Sequence, residues 1–125
     1  METNEVAKEV VAALAALAQE SRLSVYRLLV EQGPEGLPAG RIGEELGLAP
    51  ATLSFHLAHL SRAKLVRARQ EGRFIFYSAD FDNMNALVGF LTENCCARSS
   101  CAPCAPVKSE SARNKPAARR AAKAR

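Results

Sequence analysis

The stretch that most limits what this chain can become runs from Arg41 to Ser78, where the apolar spacing changes character. Ile42 and Leu46 recur at helical spacing in a short helix from about Arg41 to Leu46. Gly47 follows, the residue type that most easily closes a helix in the left-handed conformation. Pro50 then stands where a first helical residue belongs, and Leu53, Leu57 and Leu60 form a second stripe in a helix reaching about Ala63. Beyond it the period shortens to two. Leu65 to Arg69 and Arg73 to Ser78 read as strands joined by Gln70-Glu71-Gly72, with Gly72 able to supply a positive φ. Two short helices about a glycine turn, followed by a tight hairpin, describe a winged helix–turn–helix.

The flanking segments complete a mainly α fold of four helices, a two-stranded wing and a final helix. A first helix is expected from Thr3 or Asn4 to about Ala18, carrying Val6, Val10, Leu14 and Leu17. A second starts near Ser21, carries Leu23, Tyr26, Leu29 and Val30, and stops at Gly33-Pro34; being apolar on several sides, it is expected to be central and buried. Gly33 to Gly40 reads as a loop, and Asp82 to Glu93 as a last helix with Met84, Leu87, Val88 and Leu91 on one face. The expected organisation is a DNA-binding and dimerisation domain over 1–94, a cysteine-rich segment over 95–104 and a disordered basic tail over 105–125. No apolar run approaches the roughly 18 residues of a membrane span, and the chain opens on acids rather than a signal segment, so a cytoplasmic protein without membrane partners is expected.

The second helix of such a unit enters the major groove of double-stranded DNA. With its leucines inward, it turns Ala51, Thr52, Ser54, Phe55, Ala58 and His59 outward. Small residues allow close approach, Thr52 and Ser54 can hydrogen-bond base edges or phosphates, and Phe55 can touch a thymine methyl. Six basic residues (Arg41, Arg62, Lys64, Arg67, Arg69, Arg73) lie from Arg41 to Arg73 against three acids, and those of the hairpin are placed for phosphate contact. The DNA-contacting set is therefore expected to be Ala51, Thr52, Ser54, Phe55, His59, Arg62 and Arg73. His56 and His59 are spaced as a metal pair would be, but a packed or phosphate-contacting histidine is the expected role. The net charge of +4 does not extend this patch. Residues 1–106 carry ten Lys and Arg against twelve Asp and Glu, and residues 107–125 carry seven against one. No phosphate loop, carboxylate pair or nucleophile–base arrangement is visible, so no enzyme is expected.

The segments Leu14-Ala-Ala-Leu-Ala-Gln-Glu-Ser-Arg-Leu23, Ala51-Thr-Leu-Ser-Phe-His-Leu57 and Glu71-Gly-Arg-Phe-Ile-Phe-Tyr77 resemble the ArsR/SmtB family of metalloregulatory repressors, over roughly residues 5–95. The resemblance implies a homodimer built through the first and last helices, which binds an operator until an inducer releases it. Two positions depart from the family pattern. Ala49 stands where Ser is common before the recognition helix, and Lys64 stands after that helix where Gly is usual, which pushes Lys64 toward positive φ.

The cysteines carry the expected sensor. Cys95, Cys96, Cys101 and Cys104 fall within ten residues just after the last helix, and thiolates select soft, thiophilic centres. The cysteine motif that arsenic-responsive relatives carry in the first helix of the DNA-binding unit is absent, since Gly43-Glu-Glu-Leu46 occupies that place. The histidine-containing zinc site of other relatives has no counterpart between residues 82 and 104. The remaining cluster resembles members whose arsenite site lies at the end of the last helix. Trivalent arsenic or antimony takes three sulfurs in a pyramid: Cys95, Cys96 and Cys101, with Cys104 as substitute. A four-cysteine structural zinc and a Cys101–Cys104 redox disulfide stay open as alternatives.

Overall fold

A computed structural model describes residues 2–98 of the chain. Five helices and a three-stranded antiparallel sheet follow in the order α1 (Glu2–Leu17), α2 (Glu20–Gln32), β1 (Leu37–Pro38), α3 (Ala39–Leu46), α4 (Pro50–Arg62), β2 (Val66–Glu71), β3 (Phe74–Ala79) and α5 (Phe81–Thr92). The architecture is the expected winged helix–turn–helix, with one strand more than the sequence indicated. The chain divides into two units between Leu91 and Thr92, and the core belongs to the first.

That core gathers Val25, Tyr26 and Leu29 of α2, Ile42 of α3, and Leu53, Leu57 and Leu60 of α4 around Leu65, Val66 and Ala79 of the wing base. From α1 it takes Val10, Ala13 and Ala16. Within the single chain, Val10 of the expected α1 stripe is buried and Leu17 packs on the core, while Val6 and Leu14 stay exposed. Ala13 and Ala16 complete the core side of α1, where small side chains let the helix approach its neighbours closely. In α2 the central position holds for Val25, Tyr26 and Leu29, whereas Leu23 lies 44% exposed. The helix also begins earlier than Ser21, because the Gln19 side-chain oxygen accepts from the Arg22 N–H at 2.9 Å and serves as cap.

The segment expected as a plain loop contains β1. Leu37 pairs with Tyr77 and Pro38 with Phe76, giving the order β1-β3-β2 with β3 central. Proline lacks a donor, and an edge strand tolerates that. Gly36 makes the approach possible: its φ is 76°, and a Cβ there would collide with the Tyr77 carbonyl oxygen.

Two helix ends fix the DNA-facing unit. Gly47 closes α3 at φ 67° with its N–H bonded to the Gly43 carbonyl, so the chain turns sharply into Pro50. At the end of α4, the Lys64 N–H donates to Ser61 O at 2.9 Å and the Leu65 N–H to Leu60 O at 3.0 Å. These are the paired bonds of a Schellman cap, with Leu60 and Leu65 both buried beneath it. The left-handed residue such a cap needs is Lys64 at φ 64°, as the sequence indicated. On the other side of the wing, Asp80 accepts the Asn83 N–H at 3.0 Å and caps α5.

Two substitutions test this backbone. Lys64→Gly should leave thermal stability unchanged or raise it by a few tenths to about 1 kcal/mol, since glycine is at ease at positive φ. Gly36→Ala should lower the thermal midpoint by several degrees, because strain and a backbone collision coincide there.

Candidate nucleic-acid interface and thiol site

The burial of Leu53, His56, Leu57 and Leu60 defines one side of α4. At 100° per residue the opposite side centres on Ala51, Phe55, Ala58 and Arg62. Thr52 and His59 flank it on one edge, Ser54 and Ser61 on the other. All are exposed except His59, which is half-buried. Ser61 was not singled out in the sequence, although it stands seven residues, two helical turns, after Ser54 on the same edge. Phe55 is 61% exposed, its ring edge-on to His56 at 5.8 Å and to His59 at 6.4 Å. Of the two roles open to His56 from sequence, the packed one fits its 7% exposure. Among the described residues no group of three His, Cys, Asp or Glu side chains is placed to hold a metal ion.

His59 sits among cations. Partial desolvation, then Arg22, Arg62 and His56, hold its pKa below the ordinary histidine value. Its Nδ1 has no hydrogen-bond partner. Arg22 is fixed in place by its Nε donating to the Ala16 carbonyl at 2.6 Å, a charged donor on the last turn of α1. The α4 outer face therefore has positive character around a neutral imidazole.

Of the six basic residues counted in the sequence, three are compensated. Arg41 meets Glu44 and Glu45 at 3.8 and 3.3 Å. Arg67 meets Asp80 at 3.2 Å and Asp82 at 3.7 Å. Although burial acts to raise the Asp80 pKa, the Asn83 amide and the Arg67 guanidinium bring it below the usual carboxylate range. Arg69 meets Glu71 at 3.0 Å, donates to Glu35 O at 3.1 Å and lies 5.1 Å over the Phe76 ring. In the free protein the hairpin cations thus differ: Arg67 and Arg69 lie beside acids, whereas Arg73 makes no ion pair among the described residues. Exposed pairs are weak and can exchange partners, but among the described residues only Arg62, Lys64 and Arg73 of the six make no ion pair.

Cys95 and Cys96 lie in the second unit. The Cys95 N–H bonds Thr92 O at 3.1 Å and the Ala97 N–H bonds Asn94 O at 2.9 Å, with Asn94 and Cys96 both left-handed at φ 61° and 62°. This turn brings the two sulfurs to 3.7 Å. A centre bonded to thiolate sulfur at about 2.3 Å holds two sulfurs roughly 3.4–3.8 Å apart, from pyramidal to tetrahedral angles. Cys101 and Cys104 lie outside the described residues, as does the basic tail.

Residues 17–69 match a helix-turn-helix domain family. The chain is 36% identical over 77 residues to YceK of Bacillus subtilis, an uncharacterized HTH-type transcriptional regulator, covering 61% of this chain and 76% of that one. It is 35% identical over 78 residues to the transcriptional activator HlyU of Vibrio cholerae, covering 62% and 69%. The solved HlyU structure superposes with a TM-score of 0.59 at 32% identity over 77% of this chain and 99% of that chain, and HlyU has also been solved in a reduced form. The homodimeric winged helix-turn-helix domain of Mb0332 from Mycobacterium bovis, a possible ArsR-family regulator, gives a TM-score of 0.59 at 28% identity over 74% and 85%. Family match, relatives and fold agree with the inward leucines and outward polar face of α4: the chain belongs to the ArsR/SmtB family of DNA-binding winged helix–turn–helix transcriptional regulators.

Proposed function

We propose that the chain is a homodimeric repressor that occupies operator DNA through α4 and the wing and leaves it when trivalent arsenic, or antimony, binds Cys95, Cys96 and Cys101, with Cys104 as substitute. The observation that carries the sensing half is the 3.7 Å separation of the Cys95 and Cys96 sulfurs, which suits one soft centre taking both. Dimerisation is supported by Val6, Val11 and Leu14 of α1 and Val88 and Leu91 of α5, all large, apolar and exposed in the single chain. The homodimeric Mb0332 domain supports it as well. On the DNA side, Ala51, Thr52, Ser54, Phe55 and His59 face the groove, while Arg62 and Arg73 meet the backbone. The Cys95–Cys96 turn follows α5 directly in the chain, so a metalloid there alters the end of a helix that bears dimer-facing residues.

A thiol redox switch is the second reading, favoured by the adjacent thiols and by the existence of a reduced form of HlyU. The proposed direction is repression, whereas HlyU of Vibrio cholerae carries the name of an activator.

The test uses an operator selected from random duplex by the full-length protein. Arsenite should release the wild type, while Cys95→Ser and Cys96→Ser proteins should bind DNA and ignore arsenite. Cys101→Ser should do the same, unless only its combination with Cys104→Ser is blind. Release of the Cys95→Ser/Cys96→Ser protein at the wild-type arsenite concentration overturns the sensor. Release by a mild oxidant with arsenite inert replaces it by the redox reading. Operator affinity should also fall by roughly 10³–10⁵ between 50 and 200 mM salt for about 6–10 phosphate contacts, and a flat response would exclude this interface.

His59 gives a pH signature with a definite sign. In the free protein its pKa is held below the ordinary value near 6.5, and nearby phosphates raise it in the complex. Binding then takes up a proton between the two values, so affinity should rise as pH falls from the neutral range into the acidic range. Titration of operator binding across this range should show the rise in the wild type and a smaller one in His59→Gln.

A further inference from the structure

Arg22 lies outside the basic stretch from Arg41 to Arg73 and belongs to α2. Its backbone N–H donates to the Gln19 side chain at 2.9 Å, and its Nε donates to the Ala16 carbonyl at 2.6 Å. The second bond fixes the planar guanidinium against the last turn of α1. It leaves the two terminal amino groups without a partner among the described residues, and no described acid forms an ion pair with them.

Packing of α1 on α4 brings this group to the recognition helix. Ala12 and Ala13 of α1 line one cleft with Arg62 and Ala63 of α4; Glu9 lines it too, yet makes no ion pair with Arg62. Arg22 is tied one turn further along α1, at Ala16, and its charge is felt by His59, one turn before Arg62–63 on α4. The His59 Nδ1 is enclosed and has no partner. A hydrogen on it would be a buried donor with nothing to receive it, so the neutral ring carries its hydrogen on Nε2, the nitrogen that is not enclosed. Two guanidinium groups and an imidazole donor, drawn from two helices, thus gather where the described residues supply no anion.

Position decides which anion fits. A helix with its side chains is about 10–12 Å across and the major groove about 12 Å wide, so a helix lying in it has a sugar–phosphate backbone along each edge. His59 stands on the Thr52 edge of α4, away from Ser54 and Ser61. An arginine that reaches this edge from α2 meets a backbone rather than the bases.

We infer that Arg22 is a DNA-contacting residue: its terminal amino groups grip one backbone phosphate in each half-site, and the His59 Nε2–H and Arg62 close on the same phosphate. This rests on the DNA-binding reading above. The tie to Ala16 holds the guanidinium fork in place before DNA arrives, so less side-chain freedom is lost on binding. Such a clamp fixes the register of α4 along the groove and carries no base preference of its own.

The experiment uses the full chain and an operator it has selected, with methylphosphonate replacing one phosphate of one half-site at a time. That change removes a backbone charge and leaves every base intact. Wild-type affinity should drop at several positions, and at one of them Arg22→Gln should be indifferent to the replacement. On the unmodified duplex Arg22→Gln should bind roughly ten- to a hundredfold more weakly. Its salt slope should fall by about two, one for each half-site. Arg27→Gln removes the same charge from α2 about 140° round the helix, where Glu31 meets it, and should keep the wild-type slope and sensitivities. Thermal melting checks the fold of Arg22→Gln, since the bond to Ala16 goes with the guanidinium. If that protein does not fold, the wild type decides. Its Arg22 side-chain resonances should shift on the unmodified operator, and shift less when one particular phosphate is replaced. Arg22→Gln as sensitive as the wild type at every phosphate overturns the inference, as do Arg22 resonances that no replacement alters. If the wild type selects no sequence at all, the DNA-binding reading falls and the inference with it.

Discussion

Everything the DNA-facing side of this molecule can do depends on the burial of Leu53, Leu57 and Leu60 beneath α4. Truncating any one of them removes contacts worth about 2–5 kcal/mol, a large share of the stability of a small domain. The same burial decides rotation: with three leucines inward, Ala51, Phe55, Ala58 and Arg62 have only one direction left. The helix cannot turn a different face to DNA without exposing its stripe. The stripe also sets the wing, because the cap that ends α4 seats Leu65 beside Leu60 and launches β2 from there.

Electrostatics then divide this surface into parts that sequence counting treats alike. Arg41, Arg67 and Arg69 lie beside acids in the free protein, so their charge is partly offset there. Among the described residues Arg62, Lys64 and Arg73 make no ion pair, so their charge is not offset by them. A protein whose first 106 residues are net negative can still attract a polyanion if its uncompensated cations share a face.

What was legible in the sequence was whatever a local rule dictates. Gly47 and Gly72 at positive φ, Pro50 opening α4, the leucine stripe and the strain at Lys64 each follow from neighbours within a few residues. What was not legible depends on partners far along the chain. Leu37-Pro38 becomes a strand only because β3 lies beside it, and Gly36 shows why it can approach. The burial of Ala13 and Ala16 was not legible either, because alanine carries little hydrophobic signal yet packs closely. Pairing of Arg67 with Asp80 joins residues thirteen apart through the hairpin, and no charge count reveals it. At the thiol site, adjacency of Cys95 and Cys96 was plain, but the left-handed turn that sets their sulfurs 3.7 Å apart was not.

The placement of the proposed sensor beyond α5 has its own physical logic. No α5 residue is fully buried; Phe81, Met84 and Leu87 lie against the core only in part. An element held this shallowly is among the least costly to shift, whereas a comparable displacement of α2 or α4 would open the core. Coupling between an effector and DNA typically amounts to about 1–3 kcal/mol, which a shallow helix can absorb and a buried one resists. A ligand acts on DNA affinity only through the difference in its affinity for the two arrangements. Thiolate capture is strong and geometrically demanding, so even a small mismatch between the turn after α5 and the pyramid a metalloid requires becomes such a difference. If Val88 and Leu91 meet a second copy, that difference is felt where the spacing of the two recognition helices is set.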